Sequence, residues 1–192
     1  MTKLKVLVAC EYSGLIRNAF AEKGHEAYSC DILDTESPGN HIKDDVLNHL
    51  DKDWDLMIAN PPCTHLAVSG ARWFKNKNKE QELAIQFVKK LFNAHIEKIC
   101  IENPVGALSS RSKLGKASQY VQPFEFGHPE QKKTGFWLKG LPKLKGTKYI
   151  DVSGLPDKER QRLHWLPPSK DRWKIRSTTF QGIADAMADQ WG

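Results

Sequence analysis

The sequence predicts an α/β protein built on a mostly parallel sheet that helices cover. Near-continuous apolar runs recur along the first half of the chain, which is typical of strands buried on both faces. Stretches with helical spacing of apolar residues separate these runs, and repeated strand–helix–strand order implies parallel neighbours. Two short apolar stretches follow in the second half, and they predict an antiparallel hairpin at one edge of the sheet.

The predicted elements follow one another closely along the chain. We expect strands at 4–9, 26–31, 54–59, 98–101, 121–126 and 134–138, and helices at 15–24, 80–94, 157–164 and 182–191. Gly24 ends the first helix, because glycine readily takes the left-handed conformation found at helix ends. A length of 192 residues suits one domain over 1–192, with a basic segment rich in Pro, Gly and Lys at 139–176.

The composition excludes several classes of protein. With 40% hydrophobic and 27% charged residues the chain is not intrinsically disordered. No apolar run reaches the roughly 20 residues of a membrane span, and the N-terminus lacks a signal-peptide layout. We therefore expect a cytoplasmic protein without a membrane partner. Four cysteines without a CxxC pair or zinc-ligand spacing disfavour disulfides and a metal site.

Positive charge is concentrated in one part of the sequence. Residues 1–109 carry 13 Lys and Arg against 15 Asp and Glu, whereas residues 110–176 carry 16 against 6. A basic segment beside a nearly neutral one indicates an anionic partner, nucleic acid before membrane. A lysine-rich solvated surface is the alternative.

Unusual residues stand at the ends of the first two predicted strands, where ligands of such sheets bind. The turn of small residues at 10–14 could bring backbone close to a cofactor and direct a helix N-terminus at it. Asp31, at the end of the second strand, suits hydrogen bonds to two ribose hydroxyls. Asp44 and Asp45 could accept a hydrogen bond from an adenine amino group. A plain turn and solvated acids are the alternatives.

The next two strand ends carry groups suited to covalent chemistry. Pro61 and Pro62 make a stiff loop before Cys63, whose thiolate would attack electron-poor carbon if its pKa were lowered. Glu102 ends the following strand, and a carboxyl group shielded from water could stay protonated and act as an acid. Adjacent strands would place Cys63 and Glu102 side by side.

These motifs resemble those of the cytosine-C5 DNA methyltransferases, most of all the short versions that bacteriophages encode. The resemblance rests on Pro-Pro-Cys at 61–63, Glu-Asn-Pro at 102–104 and the turn at 10–14, and it covers nearly the whole chain. It implies a class I, Rossmann-like methyltransferase fold, S-adenosylmethionine as methyl donor and, for a phage protein, the host cytoplasm. The implied cofactor-binding residues are Glu11, Tyr12, Ser13, Gly14, Asp31, Ile32, Asp45, Asn60, Pro61 and Thr178. Thr178 or Thr179 would take the place of an asparagine that the family's closing motif has and this chain lacks.

The resemblance also implies a mechanism on DNA. Cys63 would add to C6 of cytosine and Glu102 would hold or protonate N3, so that C5 attacks the methyl group, loses its proton and expels the cysteine. In duplex DNA the cytosine must be flipped out of the stack. The stretch 64–74 resembles the family's mobile catalytic loop. The implied substrate-binding residues are Pro62, Ser69, Arg72, Asn103 and Lys133, the last standing where the first arginine of the family's PQxRxR segment would be.

The chain departs from this family in the segment 139–176, which stands in place of a full target-recognition domain. Its Trp165, Trp173 and lysines suit phosphate contact and base stacking, so specificity would be short, relaxed or supplied by a protein partner. Two alternatives remain open. One is methylation of free cytosine nucleotide, single-stranded nucleic acid or an exocyclic amino group, since Asn-Pro-Pro at 60–62 also occurs in amino-group methyltransferases. The other is a catalytically inactive DNA-binding decoy.

Overall fold

The protein is described by a computed structural model over residues 2–67 and 78–192. Seven strands form one sheet in the order β3-β2-β1-β4-β5-β7-β6. They are β1 Lys5–Ala9, β2 Glu26–Asp31, β3 His41–Lys43, β4 Leu56–Ala59, β5 Lys98–Pro104, β6 Gln119–Val121 and β7 Thr134–Lys139. The first five are parallel to one another, and β7 runs antiparallel between β5 and β6. The predicted parallel sheet with an antiparallel hairpin at its edge is confirmed.

Helices lie on both faces of the sheet and in the loops at its edge. They are α1 Leu15–Glu22, α2 Asn78–Phe92, α3 Ala107–Arg111, α4 Asp157–Arg160, α5 Arg162–Trp165, α6 Arg172–Ser177 and α7 Gln181–Trp191, with 3-10 turns at Val46–His49 and Pro123–Glu125. Within the described ranges, no helix has both the length and the apolar composition needed to cross a membrane.

Two apolar clusters form the core, one on each face of the sheet. In β1 the buried side chains alternate between them, because successive residues of a strand point to opposite faces. Val6 and Val8 join the cluster under α1 and α7, while Leu7 joins the cluster under α2. Phe20 of α1 and Ile85 of α2 are among the buried residues that cover the two faces.

Several predicted boundaries were wrong, and one of them bears on the site. The strand predicted at 121–126 ends at Val121, because Pro123 has no N–H for the ladder and begins a 3-10 turn capped by Gln122 and Glu125. The helix predicted at 157–164 is divided into α4 and α5. Strand β5 continues to Pro104, so Glu102 lies within the β5–β7 ladder rather than beyond it.

The elements β3, α3 and α6 were not predicted. Each has only three to six residues. A segment this short shows neither the alternation of a strand nor the repeat of a helix clearly enough to be recognised.

Candidate active site

The turn between β1 and α1 is organised around the carboxylate of Glu11. Glu11 is buried and accepts hydrogen bonds from the backbone N–H groups of Ile16 (2.7 Å) and Arg17 (3.2 Å). Gly14, the residue before α1, has no side chain to cap the helix, and the Ser13 hydroxyl also donates to Glu11 (3.4 Å). Burial raises the pKa of Glu11, and these hydrogen bonds oppose the rise. Glu11 therefore caps α1 and does not present its carboxylate to a ligand.

Arg17 ties the loop after β2 to helix α1. Its fully buried guanidinium donates to the hydroxyls of Ser29 (3.0 Å) and Ser37 (2.8 Å), and to the carbonyls of Ser37 (3.0 Å) and Pro38 (2.8 Å). A Cβ atom on Gly14 would lie 2.3 Å from both Arg17 Nη2 and Ser37 Oγ. The glycine, at a φ of +74°, makes room for this network, so the space predicted for a cofactor beside it is filled.

Three of the predicted cofactor residues offer surface to a ligand. Asp31 is half-buried at the end of β2, and burial raises the pKa of its carboxyl group. The next side chain, Ile32, is 73% exposed. Asn60 follows β4, and its Oδ1 is buried without a hydrogen-bond partner among the described residues. The Oδ1 of Asp31 accepts from the N–H of Leu33 (3.0 Å), and the Oδ1 of Asp45 likewise accepts from the N–H of Leu47 (3.0 Å), where it caps a 3-10 turn.

Tyr12 connects the same turn to helix α6. Its hydroxyl hydrogen-bonds to the carbonyl of Lys174 (3.2 Å) and the hydroxyl of Ser177 (3.0 Å), and its ring lies 5.6 Å from the ring of Trp173. Lys174 also forms an ion pair with Glu36 of the loop after β2 (2.8 Å). Helix α6 is thereby held against both loops that the sequence analysis assigned to a cofactor.

The loop that carries Cys63 is fixed to β5 by a side chain. The Nδ2 of Asn103 donates to the carbonyl of Pro61 (3.1 Å), and Asn103 is fully buried. Pro61 is buried, Pro62 is exposed and Cys63 is half-buried. Asn103, predicted to bind substrate, therefore supports the loop from beneath, while Pro62 borders the thiol at the surface.

The residues after Cys63 are joined to the loop after β5. The Cys63 carbonyl accepts from the N–H groups of Leu66 and Ala67 (both 2.9 Å), and the Leu66 carbonyl accepts from Ala107 (2.7 Å). A Cβ atom on Gly106 would lie 1.9 Å from the Leu66 oxygen, so glycine permits this approach. The predicted catalytic loop 64–74 is described only to Ala67, and Ser69 and Arg72 lie outside the described residues.

Glu102 lines a small pocket between strands β5 and β7 and helix α7. Burial raises the pKa of its carboxyl group, whereas the charge of Lys132 and a hydrogen bond with the Thr134 side chain lower it. The pocket is lined by Glu102, Lys132, Thr134, Phe136, Thr179, Phe180, Ile183 and Met187. A carboxyl group in this setting keeps its proton to a higher pH than an ordinary glutamate.

Cys63 lies close enough to Glu102 for the charge of the carboxylate to affect the thiol. Burial raises the pKa of the Cys63 thiol, and the negative charge of Glu102 raises it further. The cations Lys132 and Arg176 oppose this rise. The lowered pKa that a reactive thiol needs is therefore not found. Protonation of Glu102 would remove one cause of the raised pKa, so a neutral Glu102 favours the thiolate.

Lys133 and Thr178 lie outside the pocket of Glu102, whereas their neighbours Lys132 and Thr179 line it. Lys133 is exposed, with Nζ 4.8 Å from the centre of the Tyr120 ring, and it is Lys132 that enters the pocket. Thr178 bonds through Oγ1 to the Lys174 carbonyl (2.8 Å) and ends α6, while Thr179 lines the pocket. Alternation along β7 could have identified the lysine, since residues 132, 134 and 136 share one face.

No protein-family model and no curated protein sequence matches this chain. Solved structures do match. The chain resembles the crystal structure of a protein described as a DNA modification methyltransferase encoded within an E. coli prophage, at 17% identity with a TM-score of 0.52, covering 81% of this chain and 56% of that one. It also resembles the methyltransferase EhMeth of Entamoeba histolytica, at 13% identity with a TM-score of 0.52, covering 78% and 58%.

The fold is that of the Rossmann-like methyltransferases. This confirms the fold class that the motif resemblance implied. The chain spans less than two thirds of the length of either methyltransferase. At these identities the similarity concerns the fold, and the chemistry must be inferred from the pocket around Cys63 and Glu102.

Proposed function

We propose that this protein transfers a methyl group from S-adenosylmethionine to C5 of cytosine in DNA through a covalent adduct on Cys63. The observation that carries the proposal is the position of Cys63 beside Glu102. The loop of Cys63 follows β4 and is held to β5 by the Asn103–Pro61 hydrogen bond, and the charge of Glu102 raises the pKa of the thiol. The methyltransferase fold supports methyl transfer. A prophage DNA methyltransferase among the similar structures supports DNA as the substrate.

The residues at the ends of β2 and β4 fit the proposed cofactor. The Asp31 carboxylate would accept hydrogen bonds from ribose hydroxyls, and the exposed Ile32 side chain would cover a face of the adenine. The unpartnered Oδ1 of Asn60 is a buried acceptor that an ammonium or amino group would satisfy. When bound, S-adenosylmethionine supplies an electrophilic methyl group on a positively charged sulfonium.

Cys63 and Glu102 would make C5 of cytosine nucleophilic. The Cys63 thiolate would bond to C6, and the electrons of the C5–C6 double bond would shift through C4 toward N3, which takes the Glu102 proton. The ring is then an enamine with electron density at C5. Once C5 carries the methyl group, a water molecule would take the C5 proton, the C5–C6 double bond would re-form as the C6–S bond breaks, and Glu102 would recover its proton from N3.

Two cations support this arrangement. Lys132 lies in the pocket with Glu102, and Lys132 and Arg176 both lower the pKa of Cys63. Their positive charge favours the thiolate in a half-buried site where it would otherwise be costly. Thr134 and Thr179 add side-chain hydroxyls to the same pocket, where they could hydrogen-bond to polar edges of a pyrimidine.

The wider setting of the site is also proposed. Residues 1–192 form one methyltransferase domain in which the basic segment 139–176 takes the place of a target-recognition domain and contacts DNA. If the DNA is a duplex, the cytosine would be flipped into the pocket, and a protein partner would extend the short recognition that this segment allows. The protein would act in the cytoplasm of a phage-infected host.

Methylation of an exocyclic amino group is the second candidate function. The unpartnered Asn60 Oδ1 favours it, because an amide oxygen at this loop could accept a hydrogen bond from a base amino group. Cys63 stands where the amino-group methyltransferases place an aromatic residue. A thiol at that position favours covalent chemistry over stacking, so C5 transfer is preferred.

Product analysis tests the proposal directly. Radiolabelled S-adenosylmethionine is incubated with the protein and duplex DNA, single-stranded DNA or dCMP, and the digested product is identified. We expect 5-methylcytosine that is lost in Cys63→Ser and kept in Cys30→Ala, a matched thiol removal in β2. DNA containing 5-fluorocytosine should form an adduct on Cys63, because C5 then has no proton to lose. N4-methylcytosine or N6-methyladenine would contradict the proposal, and absence of product with intact cofactor binding would indicate a decoy.

A further inference from the structure

Two tryptophans of the basic segment are exposed, unlike three others in the chain. Trp54, Trp137 and Trp191 are no more than 6% exposed, whereas Trp165 and Trp173 are 55% and 50% exposed. Tryptophan is a large side chain that is highly buried on average. About half of each of these two side chains is therefore available to a partner.

The two exposed tryptophans belong to one structural unit. The Arg172 guanidinium donates to the carbonyls of Leu166 (2.8 Å) and His164 (3.3 Å), which joins the end of α5 to the start of α6. We call residues 162–177 the α5–α6 unit. Trp165 closes its first helix and Trp173 lies in its second.

The α5–α6 unit borders the candidate active site. Tyr12 holds it through the Lys174 carbonyl and the Ser177 hydroxyl, and Arg176 lies close enough to Cys63 to lower the thiol pKa. A nucleic-acid strand bound along the α5–α6 unit would therefore lie next to the pocket of Cys63.

The charge of the unit fits a polyanion. Residues 162–177 contain five Lys and Arg and a single acid, Asp171. Over the described ranges, no carboxylate lies within ion-pair distance of Lys170 or Arg176. Exposed aromatic rings among free cations are the combination that binds unpaired nucleotides, because bases stack on the rings and phosphates meet the cations.

The unit lacks the elements with which proteins usually read duplex DNA. Base readout in the major groove uses an α-helix or a two-stranded ribbon. In 140–176, which is described throughout, no strand joins the sheet and the longest helix is α6 with six residues.

We propose that the α5–α6 unit is a stacking platform for unpaired nucleotides and that the DNA substrate is single-stranded where it meets the protein. Bases that flank the target cytosine stack on Trp173 and Trp165, and their phosphates contact Lys170 and Arg176. This inference rests on the proposed function. It differs from the sequence analysis, which favoured duplex DNA as the substrate, in proposing single-stranded DNA.

Fluorescence anisotropy with a labelled oligonucleotide of about 16 nucleotides, alone and annealed to its complement, tests the platform. We expect the single strand to bind at least tenfold more tightly, with an affinity that falls as salt rises. Trp173→Ala should weaken single-strand binding about 5- to 150-fold, as loss of one stacked base does. Trp173→Phe should recover most of the affinity, and Ile175→Ala, an exposed residue of the same helix, should bind like the wild type.

Because Trp173 contacts Tyr12, the melting temperature of each variant is measured, and Trp165→Ala provides a second test away from that contact. Equal or tighter binding of the duplex, or wild-type affinity in both tryptophan variants, would overturn the platform. The two proposals fail differently. Formation of 5-methylcytosine in duplex but not single-stranded DNA contradicts only the platform. Trp173-dependent binding of the single strand without 5-methylcytosine on any substrate contradicts only the proposed reaction.

Discussion

The side-chain amide of Asn103 donates a hydrogen bond to the backbone carbonyl of Pro61 across 3.1 Å. Asn103 immediately follows Glu102 in β5, and Pro61 lies two residues before Cys63. Because Pro61 and Pro62 have no N–H groups, the loop can offer few hydrogen bonds of its own at this point. A single buried side chain thus links the strand that bears the acid to the loop that bears the thiol.

Asn103→Ala should destabilise the protein and impair catalysis. The buried Pro61 carbonyl would lose its donor, which costs about 1–3 kcal/mol, and thermal unfolding should show a lower midpoint. Since the loop would lose its fixed position relative to Glu102, kcat should fall more than KM rises. Asn93→Ala, at an exposed position after α2, is the control. Wild-type melting and kcat in Asn103→Ala would show that the hydrogen bond does not position Cys63.

The reactivity of Cys63 should depend on its two charged neighbours in opposite directions. Glu102→Gln removes the negative charge that raises the thiol pKa, so alkylation by iodoacetamide should reach its half-maximal rate at a lower pH. Lys132→Met removes an opposing positive charge, so the midpoint should move to a higher pH. Peptide mass spectrometry after alkylation across pH 7 to about 10 distinguishes Cys63 from the other thiols.

Glu97→Gln makes the same charge change at an exposed position before β5 and should leave the alkylation profile unchanged. Midpoints that shift in the same direction in Glu102→Gln and Lys132→Met would contradict the electrostatic pairing. Identical midpoints in all variants would place Glu102 too far from the thiol to act with it.

Glu102→Gln should also make the protein more stable at neutral pH. The folded protein raises the pKa of Glu102 above its ordinary value of 4.5, so the folded state binds more protons than the unfolded state over the range between the two values. Stability therefore falls as pH rises through that range and stays reduced above it. Chemical denaturation at pH 4 and pH 8 should show wild type and Glu102→Gln alike at the lower pH, with the variant more stable at the higher. A wild-type advantage at pH 8 would contradict the raised pKa.

Arg17→Met should destabilise the protein and weaken cofactor binding together. The substitution leaves the Ser37 and Pro38 carbonyls without their donor and removes the tie between α1 and the loop at 32–40, at an expected cost of about 3 kcal/mol or more. Denaturant unfolding and calorimetry with S-adenosylhomocysteine measure the two effects. Lys90→Met, on the exposed face of α2, should change neither. If Arg17→Met is destabilised but binds S-adenosylhomocysteine with unchanged affinity, the loop at 32–40 does not contribute to cofactor binding.

The sheet was predictable from sequence because its central strands are buried on both faces. The ends of β1 and β2 can be predicted from the sequence of each strand. Because β4 and β5 are parallel neighbours, the residues that follow β4 lie close to those at the end of β5, which places Cys63 near Glu102. The sequence analysis named Lys133 where Lys132 lines the pocket, and it left Thr178 and Thr179 as alternatives. Such errors arise because the face of a residue depends on the register of β7 and the end of α6, which local composition does not reveal.

The supporting roles of Asn103 and Arg17 were beyond sequence reasoning for a different reason. Each acts on a segment 20 or more residues away, Asn103 on Pro61 and Arg17 on Ser37. A polar residue in a sequence gives no sign of which distant carbonyl it will meet. The same holds for Arg176, whose positive charge lowers the pKa of Cys63. Arg176 lies in α6, and Tyr12 and Glu36 tie that helix to distant loops.

The cap that Glu11 places on α1 affects how chains of this kind are detected. Glu11 lies five residues before Ile16, and its carboxylate accepts a hydrogen bond from the Ile16 N–H at the start of α1. Many nucleotide-binding turns have glycines at this point instead, and their backbone N–H groups face a ligand. A search pattern that demands several glycines here passes over a chain whose turn is closed by an acid. A pattern built on glutamate, a small residue and a single glycine before the helix would retrieve chains that share this turn. Those chains would show whether Cys63, Glu102 and Lys132 occur together with it.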